Sequence, residues 1–134
     1  MSEMSKVHIW IGTTDKGEEE FGEYFELDYA TEGDFDDPAY QVCGFCKDLG
    51  AKWYDEDFLG VGMFDNAVEV KELLYETVIK VPEAYDAAYN KCLELGITEG
   101  NMVFYYTDAN LVVADTSKKY NGLHYLGMYD SELI

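Results

Sequence analysis

Hydrophobic and polar residues alternate near the start of the chain with the period of a β-strand. Between Val7 and Ile11, the side chains of Val7, Ile9 and Ile11 would share one face, and those of His8 and Trp10 the other. Because both faces carry large side chains, we expect this strand to lie in the centre of a sheet rather than at an edge.

Four later segments have the β-branched and aromatic residues that strands favour. Met102–Thr107 is the strongest, and Leu111–Ala114 is a weaker candidate. Leu59–Phe64 contains two glycines, which predict a bulge or a close backbone approach. Asn121-Gly122 predicts a turn that leads into the last strand, Leu123–Tyr129.

Two helices are predicted in the first half of the chain. Asp15 and Glu18 have the spacing of a capping box for the first helix. Asp37 and Pro38 are predicted to be the N-cap and first residue of the second, and Gly50 is expected to end it. The apolar stripes are Phe21, Tyr24 and Phe25 in the first helix and Val42, Phe45, Cys46 and Leu49 in the second.

Two further helices are predicted in the second half. Asp65-Asn66 is expected to cap the third helix, and Pro82 to begin a fourth that ends at Gly96. Their apolar stripes are Val70, Leu73, Leu74 and Val78 in the third and Tyr85, Ala88, Tyr89, Cys92 and Leu95 in the fourth. The order of elements predicts an α+β fold: a mixed, largely antiparallel sheet of about four or five strands with about four helices packed on it. At 134 residues, a single acidic domain over residues 1–134 is expected.

Charge narrows the classes of partner. The chain has 28 acidic residues against 9 lysines, no arginine and a formal net charge of −19. Nucleic acids and anionic membranes carry the same sign and are repelled, whereas a basic protein is attracted. Acidity that serves only solubility is the alternative. The segment Met1–Lys6 lacks the pattern of a signal peptide, and no apolar run is long enough to span a membrane, so a cytoplasmic protein is expected.

The cysteines supply the one motif with a chemical signature. Cys43 and Cys46 form a C-x-x-C pair, which is found in thiol-redox proteins and in zinc sites. The pair is predicted to lie inside the second helix, away from the N-terminus that would lower a thiol pKa, so a role in the core is favoured. Cys92, with His8 or His124, would have to complete a zinc site, and their spacing is not that of a zinc finger. Redox and zinc-binding functions remain alternatives.

Other catalytic and cofactor motifs are not found. The acidic segments that begin at Asp28 and Asp55 do not fit the spacing of a calcium-binding EF-hand loop, and Gly60-Val61-Gly62 is too short for a phosphate-binding loop. His8 and His124 lie on predicted strands with apolar neighbours, where a histidine is more often structural than catalytic. We therefore expect no enzymatic activity, no metal and no cofactor.

The best candidate for a binding surface is a segment that combines aromatic residues with carboxylates. Aromatic anchors surrounded by charge are typical of protein-recognition surfaces. The segment follows a predicted helix end and consists of Trp53, Tyr54, Asp55, Glu56 and Asp57. Asp34, Asp36 and Asp37 are candidates for a flank of the same surface. A buried Trp53 with a solvated acidic loop is the alternative.

Several of these segments together resemble the immunity protein 22 family. They are Val7–Thr13, Glu18–Phe25, Phe45–Gly50, Trp53–Phe58 and Tyr120–Gly127, spread over nearly the whole chain. The family consists of small acidic α+β proteins of bacterial polymorphic toxin systems. The resemblance implies a protein that binds a cognate toxin, often a nuclease, and neutralises it, and it implies no catalytic motif.

The charge of the chain agrees with that implication. A nuclease active site is basic because it binds phosphate, and the carboxylates of an acidic inhibitor can imitate phosphate. The expected partner is therefore a basic toxin protein, with no nucleic acid and no membrane. A small thiol-redox or zinc-binding protein that uses Cys43 and Cys46, and an acidic adaptor for another basic protein, are the alternatives.

Overall fold

The chain folds into two compact units. The structure, a computed structural model, describes residues 4–28, 37–51, 53–77, 81–108, 111–113 and 115–132. The sheet unit comprises Met1–Thr14 and Asp57–Ile134, and the helical unit comprises Asp15–Glu56. The expectation of a single domain stays a prediction.

Within the described residues, the sheet unit has five strands, all paired antiparallel in the order β2-β3-β1-β5-β4. The strands are β1 (Met4–Gly12), β2 (Leu59–Glu69), β3 (Glu99–Thr107), β4 (Lys119–Tyr120) and β5 (Leu123–Glu132). Together with the four α-helices found in the described part of the chain, this arrangement confirms the α+β class. The strands predicted around Val7–Ile11, Leu59–Phe64, Met102–Thr107 and Leu123–Tyr129 are confirmed.

β1 is the central strand, as predicted. Its residues pair with β3 on one side and with β5 on the other, so that Ile9 lies opposite Tyr105 and Gly127. Val7, Ile9 and Trp10 are fully buried and His8 is nearly so, which means that both faces of the strand are covered. Burial of each large apolar side chain contributes about 1.5–3 kcal/mol, so β1 is a principal source of stability.

Two helices pack on the face of the sheet that carries Val7, Ile9 and Ile11. They are α3 (Val70–Tyr75) and α4 (Pro82–Glu94), and α4 begins with the predicted proline. Their inward side chains are apolar because one stripe of each helix faces the sheet. The buried core on this face consists of Val7, Ile9, Ile11, Val70, Leu73, Leu74, Ala84, Ala88, Cys92, Val103 and Leu126.

The opposite face of the sheet carries an aromatic layer, defined here as His8, Trp10, Phe104, Tyr120 and Tyr125. The Trp10 ring stacks on Phe104 with 4.7 Å between centroids and lies 5.1 Å from Tyr125 and 5.8 Å from Tyr120. All five side chains are buried. Such ring pairs add about 0.5–1.5 kcal/mol beyond the burial of their area, so the layer stabilises the pairing of β1 with β3 and β5.

The turn at Asn121-Gly122 is confirmed and joins β4 to β5. Both residues have positive φ, 52° and 84°, as a type I′ hairpin turn requires. Tyr120 pairs with Leu123 across this turn. The strand predicted at Leu111–Ala114 is wrong for residues 111–113, which are not in a strand, and Ala114 lies outside the described residues.

The helical unit contains α1 (Glu18–Glu23) and α2 (Gly44–Leu49), and a 3-10 helix, Glu56–Phe58, begins at its last residue. Its core is aromatic. The Phe25 ring lies 5.6 Å from that of Phe21 and 5.4 Å from that of Phe45, and the Phe45 ring lies 5.2 Å from that of Tyr54. The four side chains are buried. The predicted stripe of the first helix is confirmed at Phe21, whereas the helix ends before Tyr24 and Phe25.

The predicted starts of three helices are wrong. α1 has Gly17 as its N-cap with no capping side chain, so Asp15 does not cap it. Asp65-Asn66 does not cap α3, because β2 continues through these residues to Glu69. Val78, predicted in the stripe of the third helix, lies outside the described residues.

The third wrong start is Asp37-Pro38, which lies in a turn instead of a helix. The Ala39 amide donates to Asp37 Oδ1 at 2.8 Å, and the Tyr40 amide donates to the Asp37 carbonyl at 2.9 Å. The Gln41 amide donates to Asp28 Oδ2, so it does not continue a helix from Pro38. α2 therefore begins later, and Gly50 ends it with φ 74° as predicted.

A substitution at Gly100 should show how tightly β1 and β3 approach. A Cβ at Gly100 would overlap the Gly12 carbonyl, with the carbonyl carbon 2.9 Å away. We expect Gly100→Ala to lower the free energy of unfolding by about 1–3 kcal/mol, as overpacking does. Urea denaturation followed by circular dichroism measures the change.

The matched control is Gly22→Ala in α1. A Cβ there meets nothing within 4 Å, so this substitution should be neutral or stabilise the protein by up to about 1 kcal/mol through helix propensity. Equal midpoints for wild type and Gly100→Ala would show that β1 and β3 are farther apart than described.

Candidate functional site

The Trp53–Asp57 segment presents an exposed aromatic ring beside a buried one. The Trp53 side chain is 45% exposed, whereas Tyr54 is 3% exposed. The Tyr54 hydroxyl donates to the Phe25 carbonyl, and its ring meets that of Phe45 edge to face. Tyr54 therefore anchors the segment to the core of the helical unit, and Trp53 is the aromatic side chain that solvent reaches.

The carboxylates of the segment follow Trp53 directly. Asp55 is half-buried, and Glu56 and Asp57 are exposed at the start of the 3-10 helix. Asp37 is half-buried and caps its own turn through Ala39. Asp34 and Asp36 lie outside the described residues. The segment stays a prediction as a binding surface, with Trp53, Glu56 and Asp57 as its accessible side chains.

The C-x-x-C pair lies at the start of α2, not inside a longer helix as the sequence predicted. Cys43 is the N-cap of α2, not a residue inside a longer helix, and its Sγ accepts a hydrogen bond from the Cys46 amide at 3.4 Å. The error follows from the wrong helix start at Asp37-Pro38. Both thiols are free and buried. The pair thus occupies a helix start, where sequence reasoning had excluded it.

At this position, the pKa values of the two thiols shift in opposite directions. Hydrogen bonds from the Cys46 side chain and from backbone amides lower the pKa of Cys43, although burial opposes the shift. The same bond and burial raise the pKa of Cys46. Burial alone raises the pKa of Cys92 to about 11. Among the three thiols, these hydrogen bonds favour the thiolate form at Cys43, and the thiolate is the reactive form of a cysteine.

The described residues do not assemble a metal site. Among them, no group of three or more His, Cys, Asp or Glu side chains could hold a metal ion. His8 is instead held within the aromatic layer by two hydrogen bonds. Its Nε2 donates to the Asp108 carbonyl at 3.0 Å, and its Nδ1 accepts from the Tyr125 hydroxyl at 2.7 Å. Burial lowers the pKa of His8 and raises that of Tyr125 to about 12, so both are neutral near pH 7.

A shallow pocket of about 390 Å³ lies at one end of the sheet unit. Its side chains with acid–base capacity are Glu99, Lys119 and His124, and burial lowers the pKa of His124. The lining residues include no cysteine, serine or aspartate. The hydroxyl groups in the lining are those of Thr13 and Thr98.

The exposed edge of β2 is a surface that sequence reasoning missed. The strand itself was predicted, but its place at the edge depends on pairings that are distant in sequence. Phe58, Val61 and Met63 are 49%, 47% and 40% exposed. The sequence signal for this surface is the pair of glycines at 60 and 62, which leave one face of the strand without side chains.

The comparisons with known proteins give one match. The model of the family described as Immunity protein 22 matches residues 7–132. No curated protein and no solved structure matches the chain. In addition, none of the described helices has the length and apolarity needed to cross a membrane.

The reactivity of Cys43 should depend on pH in a way that reports its environment. We expect its alkylation by iodoacetamide to reach half its maximum rate below the pKa of about 8.5 of a free thiol, because Cys43 is already a thiolate at lower pH. Peptide mapping by mass spectrometry over a pH series measures the rate at each cysteine. Restricted access of the reagent lowers the absolute rate, whereas the midpoint still follows the pKa of Cys43.

Cys46→Ala is the informative variant, since it removes the thiol that donates to Cys43 and should move the midpoint upward. Cys92 should stay unreactive throughout. A midpoint at or above 8.5 in the wild type would contradict the hydrogen-bonded thiolate.

Proposed function

Because the chain belongs to the immunity protein 22 family, we propose that it binds a toxin protein and neutralises it by stoichiometric inhibition. The observation that carries the proposal is the family match over residues 7–132, which spans both units. An inhibitor of this kind needs a complementary surface and no catalytic group. We place its action in the cytoplasm of a bacterial producing cell, where three free, buried cysteines would remain reduced.

We propose that the toxin is basic, with a nuclease as the favoured class. A net charge of −19 without a single arginine attracts a positively charged partner and repels nucleic acid. Charge complementarity raises the association rate and has its largest effect at low salt. A phosphate-binding active site is such a partner, since carboxylates can occupy the places of its phosphates.

We further propose that the Trp53–Asp57 segment contributes to the contact. Exposed tryptophan is among the residues that most often dominate binding energy at interfaces. Trp53 has this exposure. The neighbouring Tyr54 is held by the hydrogen bond from its hydroxyl to the Phe25 carbonyl. Glu56 and Asp57, which follow it in the chain, are exposed. Asp34, Asp36 and Asp37 remain candidates for the flank.

One observation favours a second candidate function, thiol-redox chemistry at Cys43 and Cys46. Cys43 caps α2 and has a lowered pKa, as nucleophilic cysteines of C-x-x-C proteins do. The two functions separate in one experiment. Cys43→Ala/Cys46→Ala should leave toxin binding unchanged, within about threefold, if the first function is correct, and should abolish any dithiol–disulfide exchange.

Capture of the partner tests the proposed function first. We expect the tagged chain, recovered from its native cells, to bring down one basic protein near 1:1. Because exposed charges are screened over about 8 Å at physiological salt, the recovery should fall in high-salt washes. Mass spectrometry identifies the protein, and the purified pair should inhibit the toxin's activity at equal concentrations. Recovery of no basic partner from cells that express the toxin would refute the proposal.

Truncation of Trp53 tests the proposed contact surface. We expect Trp53→Ala to weaken binding of the captured toxin about 30-fold or more, as the loss of a dominant interface side chain does. Isothermal titration calorimetry gives the Kd. The matched control is Tyr75→Ala, which removes a 71% exposed aromatic ring on α3 and should change the Kd less than about threefold. Equal losses in the two variants would reject Trp53 as an anchor.

A further inference from the structure

The two edges of the sheet are built differently. β4 is only two residues long, and Lys118 and Lys119 lie at its start. Short length and lysine are the usual protection of an edge strand against pairing with another chain. β2 is eleven residues long and contains no lysine, and its charged residues, Asp65 and Glu69, and its register shift come only after Met63. The first five residues therefore lack this protection.

The outer side of β2 is available for pairing over its first five residues. Leu59–Met63 pairs with β3 in regular register, and the register shifts only after Met63. Within the described ranges, no strand pairs with the other side of this segment. Since alternate backbone groups of a strand point to either side, the outer N–H and C=O groups offer a template for an added strand.

One face of this template is apolar. Val61 and Met63 lie opposite Phe104 and Met102, which are fully buried in β3. This face of the sheet is therefore buried at β3. At β2, one strand further out, Val61 and Met63 are 47% and 40% exposed. An added strand would cover Val61 and Met63 with its own apolar side chains.

The other face of the template favours cations. A Cβ at Gly60 would overlap the Tyr105 ring, and one at Gly62 would lie 2.9 Å from Glu76 Cβ, so these two side chains lie over the glycines. Glu76 is exposed and forms no ion pair with a described lysine. A lysine or arginine of an added strand would meet an aromatic face and a carboxylate here.

We propose that the outer edge of Leu59–Met63 binds an extended segment of the basic toxin, which adds to the sheet as a sixth strand. Its apolar side chains lie on Val61 and Met63, and its basic side chains alternate with them on the side of Tyr105 and Glu76. The inference rests on the proposed function, and it names the surface that holds the toxin.

Charge decides between the toxin and a second copy of this chain as the occupant. Two copies paired at β2 would each bring a net charge of −19 to the contact. Like charges oppose such pairing, whereas a basic segment gains attraction from the same field.

The double variant Val61→Lys/Met63→Lys tests the surface. The probe is the purified toxin identified by capture, in a form without activity. We expect the Kd to rise about 30-fold or more, because two apolar contacts are lost and repulsion is added. The control is Leu93→Lys/Val112→Lys, which adds the same charge at 45% and 78% exposed positions and should raise the Kd less than about fivefold.

Hydrogen exchange of the wild type provides a second measurement that does not depend on a variant. Toxin binding should slow exchange of the outward amides of Leu59–Met63, while β4 stays unchanged. Binding by wild type with unaltered exchange at Leu59–Met63, or equal Kd changes in the two double variants, would overturn the β2 surface alone. Failure of the wild type to bind the toxin would overturn the proposed function as well. Slowed exchange that appears without toxin as the concentration rises would assign the edge to a second copy and overturn the inference.

Discussion

The pairing of β1 between β3 and β5 is the constraint on which the sheet unit depends. It places Val7, Ile9 and Ile11 toward α3 and α4, and it places Trp10 against the rings of the aromatic layer. Because one strand supplies both faces, a slip by one residue would exchange the aliphatic and aromatic sets. β2 and β4 pair with the outer sides of β3 and β5 and so form the two edges.

Those edges connect the fold to the proposed function. One edge strand, β4, has two residues and lies beside lysines, whereas the other, β2, is long and exposes Val61 and Met63. The large negative charge opposes compactness through self-repulsion, so it has to be offset by the two-sided core. Both features become intelligible if a basic protein covers the open edge and part of the acidic surface. In this account, the core provides stability, and the charge and the edge provide recognition.

Local sequence signals predicted the elements whose causes are local. Alternation revealed β1, Pro82 marked the start of α4, and Asn121-Gly122 fixed the last hairpin. Asp37 misled because a capping aspartate and a turn aspartate accept the same kind of bond from a following amide. The turn forms instead of the helix because the Gln41 amide donates to Asp28, which is distant in sequence. The location of the cysteine pair and the exposure of β2 both depended on such distant contacts, which is why the sequence did not reveal them.

A titration of toxin activity tests the central claim most directly. Increasing amounts of the purified chain are added to a fixed concentration of its purified toxin, well above the Kd, and the remaining activity is measured. Neutralisation by binding predicts a linear loss that ends at one equivalent and does not progress with time. Continued loss with time at a small fraction of one equivalent would show turnover, and undiminished activity at several equivalents would show that the chain does not neutralise this toxin.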